Sequence, residues 1–325
     1  MAQKDVLASK VIVLAGGWSD ERDISMESGR ACQKALLEAG FAQVDLMDVA
    51  DVDFVQRLTA GGYDVAYVAM HGHYGEDGCI QGLLEILHMP YTFSGVLASA
   101  AGTEKEVAKA MYRRANIPTP RGYDIPGDTK LSEDDVEQIV DDLGLPIFVK
   151  PAANGSSYGV TRVTSADMLP GAVVKAGAQG DRVLIEECIE GTEISVPVIG
   201  NDDPRALPII EIVTGSEFYD IKVKYEAPEL HHVIPARLDP EVYQRAQNEA
   251  VAAHKALGCL GASRSDFIVK ADGTPVILET NLIPGMTERS LLPDSARHDG
   301  IEFPQLTRMF VEWAFEAYEK KNNNK

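Results

Sequence analysis

The chain has 325 residues, 45% of them hydrophobic and 25% charged, with a formal net charge of -20. That length predicts two or three domains at roughly 100–200 residues each, with cores large enough to need no disulfide or metal staple. The acidic balance excludes nucleic acid and anionic membrane as partners, since both demand a basic surface, but leaves room for an anionic substrate in a local basic pocket.

The N-terminal "MAQKDVLASKVIVLAGG" lacks the apolar core of a signal peptide, and its hydrophobic run is too short to span a bilayer, so a cytoplasmic location is expected. "KVIVLAGG" reads as a buried parallel strand ending in glycines. Residues 23–39 follow with helical spacing, Asp23 or Ser25 as cap and Gly40 as stop. "QVDLMDV" and "YDVAYVAMHG" read as further strands, and "IQGLLEILHM" as a helix. The alternation predicts an N-terminal doubly wound parallel α/β sheet over residues 1–102. Ligands of such sheets sit at the carboxyl ends of the strands, here "GGWSDERD" and "MHGHYGEDG". Neither is a G-x-G-x-x-G fingerprint, and no P-loop occurs, so a nicotinamide or P-loop nucleotide site lacks its motif.

A helix is predicted from Lys105 to Asn116, then a Pro-Gly-rich connection. "GLPIFVKPAANGSSYGVTRV" reads as strand, loop, strand. Its strand-terminal Lys150 and the Gly-Ser loop suit phosphate oxygens, although an ordinary turn fits the same residues. "RVLIEECIEGTEISVPVIG" supplies two strands, and the boundaries of a central unit are placed at 103–190, with a third unit over 191–325. "EFYDIKVKYEAPELHH" reads, on its own residues, as an exposed loop. Helices are predicted at 240–257 and 303–318, followed by a frayed polar tail.

"SRSDFIVKADGTPVILETN" reads as a β-hairpin with Asp272-Gly273 at its tip. Asp266 and Glu279 are equally far from that tip, so they face each other across the strands, about 5 Å apart. Asn281 shares the face of Glu279. Opposed carboxylates repel unless a cation or proton intervenes, and three oxygen donors suit a hard cation such as Mg²⁺. A solvated polar face is the alternative, opposed by the apolar "FIV" and "VIL" on either side. The histidines lack zinc-site spacing, there is no Gly-x-Ser-x-Gly elbow, and Cys32, Cys79, Cys188 and Cys259 form no CxxC pair; they are expected to be scattered core thiols.

Taken in order, "GGWSDERDIS", "HGHYGEDGCIQGLLE", "PYTFSGVLASA", "VKPAANGSSYGV", "EFYDIKVKY", "SRSDF" and "LETNLIPGMT" resemble the D-alanine–D-alanine ligases of the ATP-grasp superfamily, over nearly the whole chain. The resemblance implies a two-domain ATP-grasp fold after the N-terminal domain, with ATP between the central and C-terminal domains. It implies that two D-alanine molecules are joined through an acyl phosphate for peptidoglycan synthesis, and that the protein is a homodimer. Glu21 is implied to hold the first ammonium, with His71 near the same substrate. Ser156 would link Glu21 to Tyr225. Lys105, Lys150 and Lys224 are implied to meet the phosphates, and Glu186, Glu187 and Glu193 the adenosine. Arg264 and the Gly285 N–H are implied to stabilise the tetrahedral intermediate, and Ser290 and Leu291 to take the second substrate's carboxylate. Asp266, Glu279 and Asn281 are implied to hold two Mg²⁺ ions, with Mn²⁺ as a substitute. The chain departs from the family pattern at "DISM", at "AAN", at "DIKVKY", at Glu187 where a lysine is found in some members, and at Glu288-Arg289 where a histidine is often found. A ligase with D-lactate, D-serine or another amino acid as second substrate, and a non-catalytic nucleotide-binding homologue, are the alternatives.

Overall fold

The computed structural model describes residues 6–153, 159–213 and 231–323, which carry three sheets. The first is parallel, with β1 (Lys10–Ala15) between β2 (Gln43–Asp48) and β3 (Val65–Val68). β1 and β3 are almost wholly buried, as expected of parallel strands covered on both faces. α1 (Arg22–Glu38) packs Cys32 and Leu36 into this core. Its N-cap is Glu21, with no side-chain cap, and Ser25 is used elsewhere, so neither predicted cap serves.

The second sheet is antiparallel, in the order β4 (Gly122–Pro126), β7 (Arg182–Glu187), β5 (Ile147–Pro151), β6 (Thr161–Val163). Side chains alternate across a strand. Ile147, Val149, Val183 and Ile185 therefore share one face, and they pack with Ile139, Leu143 and Val173 from α6 (Glu133–Leu143) and α7 (Leu169–Gly177). Lys150, Leu184 and Glu186 lie on the other face.

The third sheet runs β11 (His231–Val233), β10 (Ile210–Val213), β8 (Thr192–Ile199), β12 (Ala262–Val269), β13 (Pro275–Asn281), with β9 (Arg205–Ala206) beside β8. One face packs Ile194, Val196, Phe267 and Ile277 against α8 (Pro240–Leu257), whose bounds match the predicted helix. The same core holds Ala98 and Ala101 of α4 (Val96–Thr103) and Ala108 and Tyr112 of α5 (Lys105–Arg114). So α5, counted with the central unit by its sequence position, packs on the C-terminal sheet. The last helix, α10 (Phe303–Asn323), runs beyond its predicted end and sends Leu306, Phe310 and Val311 into the N-terminal core. Its amphipathic burial outweighs the polar composition of the tail.

Among the cysteines only Cys32 and Cys259 are buried; Cys79 is exposed and Cys188 intermediate, so the expectation of core thiols holds for part of the set. Among the described residues, no helix is long and apolar enough to cross a membrane.

His254 of α8 is buried and its Nδ1 lies 2.8 Å from Ser263 Oγ on β12. Burial pushes its pKa from 6.5 down to about 4. Below about pH 6.5 the unfolded chain takes up a proton that the folded chain refuses, so stability falls as the pH is lowered through that window. Between pH 7 and 5.5 the cost is about 1 kcal/mol for this group. Urea unfolding at the two pH values should show a loss smaller by about that amount in His254→Asn.

Candidate active site

The strand tips of the N-terminal sheet are stitched together by short side chains. Ser25 Oγ accepts the Gly16 N–H at 2.8 Å and donates to the Ala69 carbonyl at 2.8 Å, joining the ends of β1 and β3. Asp48 accepts the Gly17 N–H at 3.1 Å and pairs with Arg22, which with burial opposing holds its carboxyl down at about 2. Ser19 donates to the His71 carbonyl at 2.8 Å. These bonds set Glu21 beside Gly72, where an added Cβ would stand 2.9 Å from Glu21 Oε2. Gly72 has φ +71, so both its conformation and the close carboxylate require glycine.

His71 is buried, with Nε2 3.0 Å from Ser28 Oγ of α1. Burial pushes its pKa down to about 4, against the opposing pull of the Ile283 backbone. Glu76 accepts the Gly72 N–H at 2.8 Å. Desolvation, then the neighbouring Glu21 charge, push Glu76 up from the ordinary carboxylate range.

On the third sheet, Asp266 pairs directly with Glu279 and Arg264 with Asn281. The turn differs from the predicted one. Gly273 has φ +79, its N–H bonds to Lys270 O at 2.9 Å, and Lys270 N bonds to Thr274 O at 3.0 Å, which makes a three-residue hairpin loop. That loop sets Phe267 opposite Ile277, a register that would carry Asp266 to Leu278. A β-bulge between Asp266 and Phe267 leaves Leu278 unpaired and restores Glu279 to the position opposite Asp266.

Asp266 is also in register with Ser195 of β8, and Ile268 with Glu193. One face of the sheet thus carries Glu193, Ser195, Arg264, Asp266, Glu279 and Asn281, opposite the apolar face on α8. Ser195 donates to Asp266 at 2.5 Å, and Arg264 binds both Asp266 oxygens at 3.1 and 2.9 Å. Asn281 Oδ1 accepts the Ile283 N–H at 3.1 Å.

Lysines from α5 and β5 face this group. The Lys105 N–H bonds to Ala152 O at 3.1 Å, bringing the start of α5 to the end of β5. Lys105 Nζ lies 3.3 Å from Glu279 Oε2. Lys150 pairs with Glu186 at 2.8 Å, and Lys109 pairs with the other oxygen of Glu186. Burial and the Lys105 charge push Lys150 down to about 8, while burial and the charges of Lys150 and Lys105 lower Lys109 well below its ordinary value.

Glu187 follows Glu186 on β7, so its side chain leaves on the opposite face. There it takes Arg121 Nε at 3.1 Å and the Arg121 N–H at 2.8 Å. The Glu187 side chain is thus engaged by Arg121, on the face away from the lysines. Lys109, Glu76, Ser28 and Ser195 were not singled out in the sequence. Lys109 follows Lys105 by one helical turn, and that spacing is the signal that puts both on one face of α5.

After β13, Gly285 approaches Ser290 so closely that an added Cβ would lie 2.9 Å from Ser290 Oγ. Ser290 Oγ contacts the Thr287 N–H at 3.1 Å and Thr287 Oγ1 at 2.9 Å, and it precedes α9 (Leu291–His298), which begins at Leu291. The predicted site residues Ser156, Lys224 and Tyr225 lie outside the described residues. Among the described residues, no three or more His, Cys, Asp or Glu side chains form a group that could hold a metal; the predicted set relies on the Asn281 carboxamide for its third donor.

Buried lysines beside an oxygen-rich sheet face, with the loops of a parallel sheet nearby, mark an enzyme class that handles a polyanion such as a nucleotide. The comparisons narrow it. The family described as D-ala D-ala ligase N-terminus matches residues 48–94, and that described as D-ala D-ala ligase C-terminus matches 113–312. A D-alanine–D-alanine ligase of Pelotomaculum thermopropionicum is 44% identical over 94% of this chain and 97% of its own. One from Anaeromyxobacter dehalogenans is 45% identical over 94% of this chain and 96% of its own. The solved D-alanine–D-alanine ligase of Bacillus anthracis complexed with ATP superposes with TM-score 0.84 at 31% identity, covering 97% of this chain and 100% of that one. The chain belongs to the D-alanine–D-alanine ligase family.

Glu186 is the counter-charge of two buried ammonium groups. Glu186→Ala should lower the unfolding free energy by about 3 kcal/mol at pH 7, because it strands buried charges. Above pH 8, where Lys150 gives up its proton, part of that loss should return. Denaturant titrations at pH 7 and 9 measure both effects, and an unchanged midpoint at pH 7 would contradict the pairing.

Proposed function

We propose that this chain joins two D-alanine molecules into D-alanyl-D-alanine at the expense of ATP, supplying a peptidoglycan precursor. The observation that carries the reading is the convergence of three lysines beside Asp266 and Glu279: Lys105 reaches Glu279 itself, and Lys109 and Lys150 gather on Glu186 next to it. It puts cations on one wall, where phosphate oxygens need them, beside loops bearing Glu21 and Gly285.

In this reading Glu21 holds the ammonium of the first D-alanine. That substrate's carboxylate attacks the γ-phosphorus; the bond to ADP breaks and an acyl phosphate forms. The amine of the second D-alanine attacks the acyl carbon, loses a proton, and phosphate leaves. Lys105 and Lys150, with Lys224 beyond the described residues, offset the negative charge that carboxylate and polyphosphate bring together. Arg264 and the Gly285 N–H stabilise the tetrahedral oxyanion, and Ser290 and Leu291 receive the second carboxylate. Ser156 and Tyr225 take the linking role that the family pattern assigns them. Glu186 orders the lysines, and Glu193 faces the adenosine side.

Asp266, Glu279 and Asn281 fit a hard divalent cation, because all three offer oxygen on one sheet face and the carboxylates are already drawn to positive groups. Mg²⁺, or Mn²⁺ in its place, would supply further charge neutralisation to the phosphates when bound. A cytoplasmic homodimer belongs to the same reading; a monomeric mass by light scattering would defeat the dimer.

The test is ADP release and dipeptide detection with ATP, Mg²⁺ and D-alanine, run in competition with D-lactate and D-serine. D-Alanyl-D-alanine should dominate near neutral pH, and a dominant depsipeptide would refute the choice of second substrate. Nucleotide binding with no turnover on any pair would favour a non-catalytic homologue. Glu279→Ala should lower kcat/KM about 100-fold or more, the equivalent of several kcal/mol of lost charge stabilisation.

A further inference from the structure

The turn that follows β13 is held by more than its own bonds. Ile283 and Met286 are buried in the N-terminal core, among residues of β1, β3 and α1. Three polar side chains of the N-terminal unit meet its backbone. Ser28 Oγ on α1 accepts the Met286 N–H at 3.4 Å and stands 3.0 Å from His71 Nε2. The Ile283 backbone hydrogen-bonds the His71 ring, in the sense that favours its N–H form there. A neutral ring that donates from Nδ1 to a carbonyl presents Nε2 as an acceptor, so Ser28 donates to it. The bonds therefore run in one direction: Met286 N–H to Ser28, Ser28 O–H to His71, His71 N–H to Ile283. Glu76 completes the set, accepting the Gly72 N–H at 2.8 Å and lying close to the Ile283 N–H, which itself bonds to Asn281 Oδ1 at 3.1 Å. Gly72 is the residue against which Glu21 is packed.

We propose that Ser28, His71 and Glu76 form a clamp that positions the Ile283–Met286 turn, and with it the Gly285 N–H, relative to Glu21. These are positioning residues that act through the turn. His71 serves the frame through Nε2 on Ser28 and its closeness to the Ile283 backbone. The consequence is a division of labour between the two chemical steps. Phosphoryl transfer to the first D-alanine depends on the lysine wall and Glu21, which the clamp leaves in place. Attack on the acyl phosphate needs the oxyanion donor at hydrogen-bond distance, and a displaced turn loses that donor. The inference rests on the oxyanion role of Gly285 given above.

Ser28→Ala breaks the chain of bonds at its middle. Glu76→Gln keeps the volume but replaces a carboxylate that takes the Gly72 N–H beside the Ile283 backbone by one acceptor and one donor. Each should lower kcat for dipeptide formation about fivefold or more, the worth of one lost hydrogen bond in a buried network. The KM for ATP should stay within twofold. Positional isotope exchange in γ-¹⁸O-labelled ATP with D-alanine reports the first step alone and should be retained, so the ratio of exchange to ligation rises. Amide hydrogen exchange in the peptide covering 282–290 should quicken more than in the rest of the chain, with the melting temperature lowered by no more than about 2–4 °C. A parallel fall in exchange, ligation and melting temperature would mean general destabilisation and would overturn the clamp; so would unchanged ligation with unchanged amide protection. If Ser28→Ala fails to fold, Glu76→Gln carries the same decision. If the wild-type protein makes no dipeptide, the proposed function fails by itself, and amide exchange at 282–290 still decides the clamp.

Discussion

Two carboxylates placed opposite each other on neighbouring strands are an unfavourable pair, and most of the site is arranged around that repulsion. Asp266 is answered on its own strand by Arg264, two residues back on the same face, and by a hydroxyl from β8. Glu279 is answered by Lys105 from a helix of another segment. Lys105 can reach it because the start of α5 is bonded to the end of β5, which brings Lys150 to the same wall. Lys150 and the next lysine of α5, Lys109, then need a counter-charge of their own, and the two oxygens of Glu186 provide it to both. The alternation of charge thus propagates from one β-bridge to both sheets. Each member is held by its neighbours, so the site exists before a ligand arrives, which is what charge stabilisation without reorganisation requires.

Much of the fold could be read from period and punctuation. The parallel sheet followed from short apolar runs separated by helical spacing, and α8 from a pattern begun by Pro240 and closed by Gly258, which takes φ +73. The misses share a cause. Helix caps at Asp23 and Ser25 are locally sensible, yet Ser25 Oγ is taken by Gly16 and Ala69, a long-range demand invisible in the spacing. The polar C-terminal run stays helical because the stripe of Leu306, Phe310 and Val311 finds the N-terminal core. Tertiary partners decided both cases against local preference.

The candidate site was legible to a comparable depth. Counting from the Asp272-Gly273 tip predicted the Asp266–Glu279 pair, but the loop has three residues and the pairing is recovered by a bulge. Residue counting could not distinguish these routes, because both end on the same pair. Glu187 shows the opposite failing. Adjacent glutamates invite one shared role, whereas the strand sends them to opposite faces, one to the lysines and one to Arg121. Alternation alone would have separated them. Ser28 lacked a motif of its own, and only burial among backbone and imidazole partners marks it.

The seams between the units differ in kind, and the difference bears on what the cleft can do. Ile199, Leu207, Ala262, Ile283 and Met286 of the C-terminal part belong to the same core as β1 and β3, so the first and third units share apolar burial. The central sheet has a core of its own with α6 and α7. Polar links join it to α5: the Lys105 N–H on Ala152, and Lys109 on Glu186. Parting the first and third units would expose hydrocarbon at about 25 cal/mol per Å², a cost no bound anion alters. Shifting the central sheet instead stretches ion pairs among lysines. A polyphosphate entering that seam competes with Glu186 and Glu279 for those same lysines, and the strength of an ion pair changes directly with the charges around it. The boundary lined by the lysines is thus the one whose contacts a polyanion can rearrange, while the apolar boundary keeps Glu21 and the Gly285 turn in one frame.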